Sequence, residues 1–287
     1  MNKIEIASDK HLGIIFQPRS GSHVLRRYLC KLSNRVDLGE WYNVYIDQTK
    51  YGLTIKNNTA YLDPSDLSSS KPSGTREEEK SRLVNNIKQL QDLSAIQQYG
   101  ITTVQTTGFI ESGYTELIEL IAQEKNTQFI FLDRADVLYS LISLRLSLHK
   151  IEFHNSSDVA KIRNYGPLPF SINRLSKLLE AYIKNKDAVN KYFGDIPIIY
   201  YEQYQHRVSN ILNLFTGIPK KIVSVEINKW QGNHKDMISN IDEVEDYYEE
   251  FVNKYPEYFP QYFGKLPHIT IPASQGRQPK ILLPEYS

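Results

Sequence analysis

Residues 13–32 read GIIFQPRSGSHVLRRYLCKL, and the reading of this stretch decides the fold. Ile14, Ile15 and Phe16 form a short apolar run of the kind that fills a buried strand. A tight polar loop follows, Pro18-Arg19-Ser20-Gly21-Ser22. Val24, Leu25, Tyr28, Leu29 and Leu32 then recur at helical spacing. Strand, small-residue loop and helix N-terminus together make a cradle for an anion. The first N–H groups of a helix have no acceptor within it, and the positive end of its dipole faces the loop. Arg19 adds a fixed charge and a forked donor at the same place. The segment predicts a site for a phosphate or sulfate group.

Working outward, apolar runs alternate with helical patterns. Ile101-Thr102-Thr103-Val104, Phe129-Ile130-Phe131-Leu132 and Ile196 to Tyr201 read as further strands. Helical spacing appears in Leu83, Ile87, Leu90 and Ile96, in Leu117 to Ile121, in Val137 to Leu148, over Ile172 to Tyr192, and around Ile211 to Leu214. Thr75 and Glu78 have the spacing of a capping box at the start of the first of these. Gly108 and Gly113 are read as bracketing a turn. Strands alternating with helices predict an α/β fold of three layers, with a central parallel sheet of five strands or so. In such sheets ligands bind beyond the carboxyl ends of the strands. Pro18-Arg19, Arg134 and Tyr201-Glu202 all follow predicted strand ends and are expected to gather along one edge.

The chain of 287 residues is long enough for one full core, and a single domain over residues 1–266 is expected. Residues 62–80, rich in Pro, Ser and charge, read as a flexible insertion. Residues 267–287 read as an extended arm against this chain or a second copy, a route to a homo-oligomer. The formal net charge of +1 gives no global pull toward nucleic acid. No apolar run has the length of a membrane span, and Met1 to Glu5 opens no signal peptide. Cys30, the only cysteine, excludes an internal disulfide and reads as a packed thiol. These features predict a cytoplasmic protein. No histidine–carboxylate cluster has metal-ligand spacing, so no metal is expected.

The loop is not a Walker loop, since Gly21 is followed by Ser22 and His23 with no lysine, and no dinucleotide fingerprint occurs. QPRSGSHVLRRYL instead resembles the loop of PAPS-dependent sulfotransferases, whose common form is Pro-Arg/Lys-Ser-Gly-Ser/Thr-x-x-Leu. FIFLDRADVLYSLISLRLSLHKIEFH resembles the family's 3′-phosphate segment, and its tail is similar to the bacterial trehalose-sulfating branch. IIYYEQY, LFTGIP and Lys229 with Asn240-Ile241-Asp242-Glu243-Val244 resemble later blocks, in the family's order. The resemblance spans about residues 12–245.

The resemblance implies a P-loop-like phosphosulfate-binding loop and transfer of a sulfuryl group from PAPS to a hydroxyl, with PAP as product and no metal. The implied acceptor is a carbohydrate, a glycolipid or another small molecule. By resemblance, Arg19, Ser20, Gly21, Ser22 and His23 hold the 5′-phosphosulfate, and Arg134 binds the 3′-phosphate. The family's serine falls eight positions after its arginine, which here is Ile142, with Ser140 and Ser143 on either side; both stay open. Tyr201 and Lys229 are further cofactor-binding candidates. Glu40, in Leu38-Gly39-Glu40-Trp41-Tyr42, is the first choice for general base, with His154 and His23 as competitors. Trp41 and Tyr42 are read as either sugar-stacking or core residues, and Glu202 as a support for the loop. Two other classes use the same cradle: an ATP- and Mg²⁺-dependent phosphoryl-transfer enzyme, and a non-catalytic PAP-binding module.

Overall fold

The computed structural model describes residues 3–42, 54–56, 59–61, 75–111, 113–147, 167–204, 208–218 and 234–259. In chain order the strands are β1 (Ile4–Glu5), β2 (His11–Phe16), β3 (Val36–Gly39), β4 (Thr54–Lys56), β5 (Thr59–Tyr61), β6 (Gly100–Val104), β7 (Thr127–Asp133), β8 (Ile198–Tyr200) and β9 (Phe215–Thr216). The helices are α1 (Ser22–Ser33), α2 (Arg76–Ala95), α3 (Thr106–Glu111), α4 (Thr115–Ala122), α5 (Val137–Ser147), α6 (Ile172–Phe193), α7 (Tyr201–Tyr204), α8 (Val208–Leu214) and α9 (Ile241–Lys254). Short 3₁₀ turns occupy His234–Met237 and Pro256–Tyr258. His154, Lys229, residues 62–74 and the arm from residue 267 lie outside the described residues.

The central sheet has five parallel strands in the order β3-β6-β2-β7-β8. Strand alternation assigns its two faces. Leu12, Ile14 and Phe16 of β2 and Ile130 and Leu132 of β7 point into a cluster with Leu25 and Leu29 of α1 and Ile211 and Leu214 of α8. Ile15, Phe129 and Phe131 point the other way, onto Leu83 and Leu90 of α2, Leu117 and Ile121 of α4 and Val189 of α6. Helices thus cover both faces, as the alternation of patterns predicted. Gly13 lies opposite the Phe129 ring, where an added Cβ would fall 2.5 Å from ring carbons, so the large residue of β7 needs glycine on β2. A third cluster, with Leu138, Ile142, Leu175, Tyr248, Phe251 and Phe259, joins α5, α6 and α9 and absorbs much of the C-terminal aromatic run.

The capping box at α2 forms in both directions: Glu78 N–H donates to the Thr75 hydroxyl, and Thr75 N–H to the Glu78 carboxylate at 2.7 Å. α2 begins at Arg76, so the last five residues of the stretch read as a flexible insertion, 76–80, are helical. Other elements also depart from expectation. β2 starts at His11, because the polar imidazole is satisfied inside the core. Tyr201 opens α7 instead of ending its strand. Gly108 lies within α3, and only Gly113, at φ +72°, marks the turn. Ile96 caps α2 and is exposed. Cys30 is buried, its thiol 3.7 Å from Val36 C=O, and burial pushes its pKa up.

His11 predicts an acid-sensitive fold. Gly100 N–H donates to its Nδ1 at 2.9 Å, which leaves Nε2 to donate to Leu90 C=O at 2.9 Å. The Gly100 bond requires an unprotonated Nδ1, and burial, against the pull of the Leu90 carbonyl, lowers the ring's pKa below the ordinary value of 6.5. The unfolded chain therefore binds a proton that the folded one refuses. The contribution is whole above the unfolded pKa and is lost as pH falls toward the folded one. The melting temperature should drop between about pH 7 and about pH 5, with a shallower drop for His11→Gln.

Candidate functional site

The register of the sheet assembles the site. Phe16 pairs with Leu132, so the loop after β2 runs beside the Asp133-Arg134 turn after β7. Asp133 pairs with Tyr200, which brings Tyr201 and Glu202 to the same edge. On the other side β3 ends at Gly39, beside Thr102 of β6, and delivers Glu40. The chain reverses its order around β2, and ligands bind at such switch points.

The loop itself is tightly wound. Ser20 N–H donates to Gln17 C=O at 3.1 Å, and Arg19 sits at φ +63°, a left-handed conformation rare outside glycine. Gly21 caps α1 at φ +79° with no side-chain cap; Val24 N–H closes back on Gly21 C=O at 3.0 Å, and the N–H groups of Ser22 and His23 are those the helix start can offer an anion. A Cβ at Gly21 would lie 2.5 Å from the Tyr201 ring. Gly21→Ala is therefore expected to destabilise the fold by about 1–3 kcal/mol, read from the urea midpoint, because strain at positive φ adds to overpacking. The Tyr204 hydroxyl braces the loop at Ser20 C=O (3.4 Å) and Gly21 C=O (3.3 Å).

Two guanidinium groups converge here. Arg134 is mostly buried; its Nη1 donates to Arg19 C=O at 3.3 Å, its Nε lies 2.8 Å from Glu202 Oε1, and its plane covers the Tyr201 ring at 4.3 Å. Glu202 also accepts from Ala135 N–H at 2.9 Å, which ties it to the turn after β7 and not directly to the loop after β2 that it is expected to support. Burial, then Glu202, holds the Tyr201 hydroxyl at a pKa of about 12 against the opposing pull of Arg134. Arg19 donates through Nε to the Ser143 hydroxyl at 3.2 Å. Among the described residues no carboxylate lies within ion-pair distance of Arg19; burial, and then the charge of Arg134, lower its pKa. The Ser20 hydroxyl is fully buried with no hydrogen-bond partner among the described residues. An uncompensated cation beside an orphaned hydroxyl is what an anionic ligand satisfies.

The two serines divide their work. The Ser140 hydroxyl donates to Pro18 C=O at 2.9 Å and ties α5 to the loop, whereas Ser143 faces the Arg19 guanidinium. On the β3 side, His23 Nε2 lies 3.5 Å from Glu40 Oε1, so two of the candidate bases are neighbours. Next to them the buried Arg26 pairs with the solvent-exposed Asp37 at 2.7 Å and donates to the Thr103 hydroxyl at 3.2 Å. Trp41 and Tyr42 are fully buried core residues, hydrogen-bonded to Asn86 C=O (2.8 Å) and to the Thr127 hydroxyl (2.9 Å). This corrects the sugar-stacking alternative: neither ring has a face open to an acceptor.

A narrow cleft opens beside the loop, walled by Gln17, Pro18, Thr107, Arg134, Ser140 and Leu141. A larger cavity of about 340 Å³, lined among others by Phe131, Val189, Gly194 and Ile196, lies by the α6–β8 connection and gathers no cluster of charged groups. Among the described residues no group of His, Cys, Asp and Glu is placed to hold a metal ion, and no helix is long and apolar enough to cross a membrane.

Sequence reading missed three contributors. Tyr204 and Asp133 stand inside quoted blocks but have no role there, and Lys186 and Tyr182 of α6, which complete the Asp133 network, carry no motif. His234 lies far along the chain, and only the docking of its turn on α5 brings it near Arg134. Searches against family models, curated proteins and solved structures return no match to this chain.

Proposed function

We propose that the chain is a PAPS-dependent sulfotransferase acting on a hydroxyl acceptor. The observation that carries this reading is the pairing of Arg19 and Arg134 across a glycine-capped helix N-terminus, with Ser143 on one guanidinium and no carboxylate against Arg19 among the described residues. The residues fit the donor: an orphaned serine hydroxyl and a cation without a carboxylate partner among the described residues support reading the segment as a P-loop-like, phosphosulfate-binding loop. In this reading Arg19, Ser20, Gly21, Ser22 and His23 hold the 5′-phosphosulfate, and Arg134 with Ser143 holds the 3′-phosphate, backed by Tyr201. PAPS, when bound, supplies an activated sulfuryl group. Arg19 balances the negative charge that grows on the leaving oxygen, at a position fixed before reaction. Glu40 takes the acceptor's proton, and His23 beside it orients the carboxylate. The carbohydrate or glycolipid class of acceptor rests on the family resemblance alone.

The test is transfer of radiolabelled sulfate from PAPS onto a panel of hydroxyl acceptors, with Glu40→Gln alongside. Labelled product from wild type and at most about a hundredth of that rate from Glu40→Gln are expected. Phosphate transfer from ATP with Mg²⁺ in place of sulfate transfer would assign the cradle to phosphoryl chemistry.

A further inference from the structure

We propose that His234 is a third cationic ligand of the Arg19–Arg134 pocket and takes up a proton as a phosphate-bearing ligand enters. The inference rests on the anion reading above and adds to it a residue and a proton. His234 opens the 3₁₀ turn His234–Met237, and that turn is fixed: Leu168 N–H donates to Met237 C=O at 2.8 Å, and Ser239 N–H to Leu168 C=O at 3.1 Å. The imidazole is only 8% exposed and meets the Tyr139 ring edge-on, with centroids 4.5 Å apart. Tyr139 in turn lies 5.5 Å from the Arg134 guanidinium carbon. Arg134, Tyr139 and His234 therefore form one continuous wall, and the positive fields of both Arg19 and Arg134 reach the imidazole.

Among the described residues, the groups around it are Arg19 from the β2–α1 loop, Arg134 from the end of β7 and Tyr139 from α5. Asp136, at the head of α5, accepts from Tyr139 N–H at 2.9 Å. On the histidine's own turn, Lys235 is paired with Glu245 of α9, and Asp236 follows it. Burial first, then Arg19 and Arg134, push the His234 pKa down to about 4, so the ring is neutral at about pH 7; Arg134 is paired with Glu202, and Arg19 has no carboxylate against it among the described residues. A dianion in the pocket reverses that balance. It sets negative charge against the positive fields of Arg19 and Arg134 that disfavour the imidazolium, so a proton moves from solvent to the ring as the ligand binds. By linkage the ligand then binds more tightly as pH falls toward the second phosphate pKa of about 6.

The experiment is isothermal titration calorimetry of the full chain with PAP, and separately with inorganic pyrophosphate, at about pH 7 in two buffers of different protonation enthalpy. The expected result is net proton uptake by wild type, absent in His234→Gln, with affinity lowered about tenfold as a charged hydrogen bond is lost. The ¹⁵N imidazole shift of His234 in wild type, moving toward the protonated position on adding either probe, reads the same event without a variant. Binding with no buffer dependence, or uptake that persists in His234→Gln, overturns the role of His234 and leaves the anion site standing. Failure of both probes to bind wild type overturns the anion site and this inference together.

Discussion

Arg19→Ala is expected to lower the rate of sulfuryl transfer by about 10²–10³-fold, the usual loss for one preorganised charge-stabilising donor. The same substitution should leave the melting temperature unchanged or raised. Arg19 is held in a left-handed backbone conformation, partly desolvated, and close enough to Arg134 for the two charges to repel. Its one side-chain hydrogen bond among the described residues goes to a neutral hydroxyl, Ser143. A residue placed so costs the empty fold stability and returns it only when an anion arrives. A packing or structural role for Arg19 predicts the opposite pair of results, a large fall in stability and little change in rate. Parallel kinetics and thermal unfolding of this single variant separate the two.

Lys186→Met is expected to have the largest effect on stability, about 3–5 kcal/mol by urea unfolding, because it strands a buried charge. Asp133 is completely buried at the end of β7. Lys186 Nζ lies 3.1 Å from its Oδ2, and the Tyr182 hydroxyl donates to both of its oxygens at 3.1 and 3.0 Å. Burial pushes the Asp133 carboxyl above its ordinary pKa, and Lys186 is the first of the groups that resist this. Without Lys186 that pKa rises further. A carboxyl whose folded pKa exceeds its unfolded one gives stability that is present below the unfolded pKa and is lost as pH rises through the folded one. The penalty for Lys186→Met should therefore be greatest near neutral pH and shrink on acidification. Ligand binding should weaken as well, since Asp133 Oδ1 accepts the Arg134 N–H at 2.8 Å and sets the turn that aims Arg134.

Much of this architecture is legible in the sequence because the buried strands are short and continuously apolar. Phe129 to Leu132 announces β7, and the loop before α1 announces the helix start. β3 escaped because Val36-Asp37-Leu38-Gly39 alternates, with Asp37 half in solvent and paired to Arg26; only its pairing with β6 makes it a strand. Trp41 and Tyr42 illustrate a second limit. Aromatic residues beside a candidate base look alike whether they face a ligand or the core, and burial of both rings is a property of how α2 packs. Ser140 and Ser143 illustrate a third. One turn apart on α5, they are equivalent by pattern, and the contacts to Pro18 and Arg19 distinguish them. Glu40 and His23 read as rivals, and the return of the chain from α1 through β3 sets them side by side.

The most direct measurement is thermal unfolding of wild type and Arg134→Ala with PAP, with ATP plus Mg²⁺, and in buffer alone. A ligand at about 100 times its dissociation constant adds roughly 2.7 kcal/mol of stability, a readily measured shift in midpoint. The account predicts a clear rise with PAP for wild type, lost in Arg134→Ala. A rise with ATP plus Mg²⁺ and none with PAP, or a PAP shift indifferent to Arg134, would contradict it.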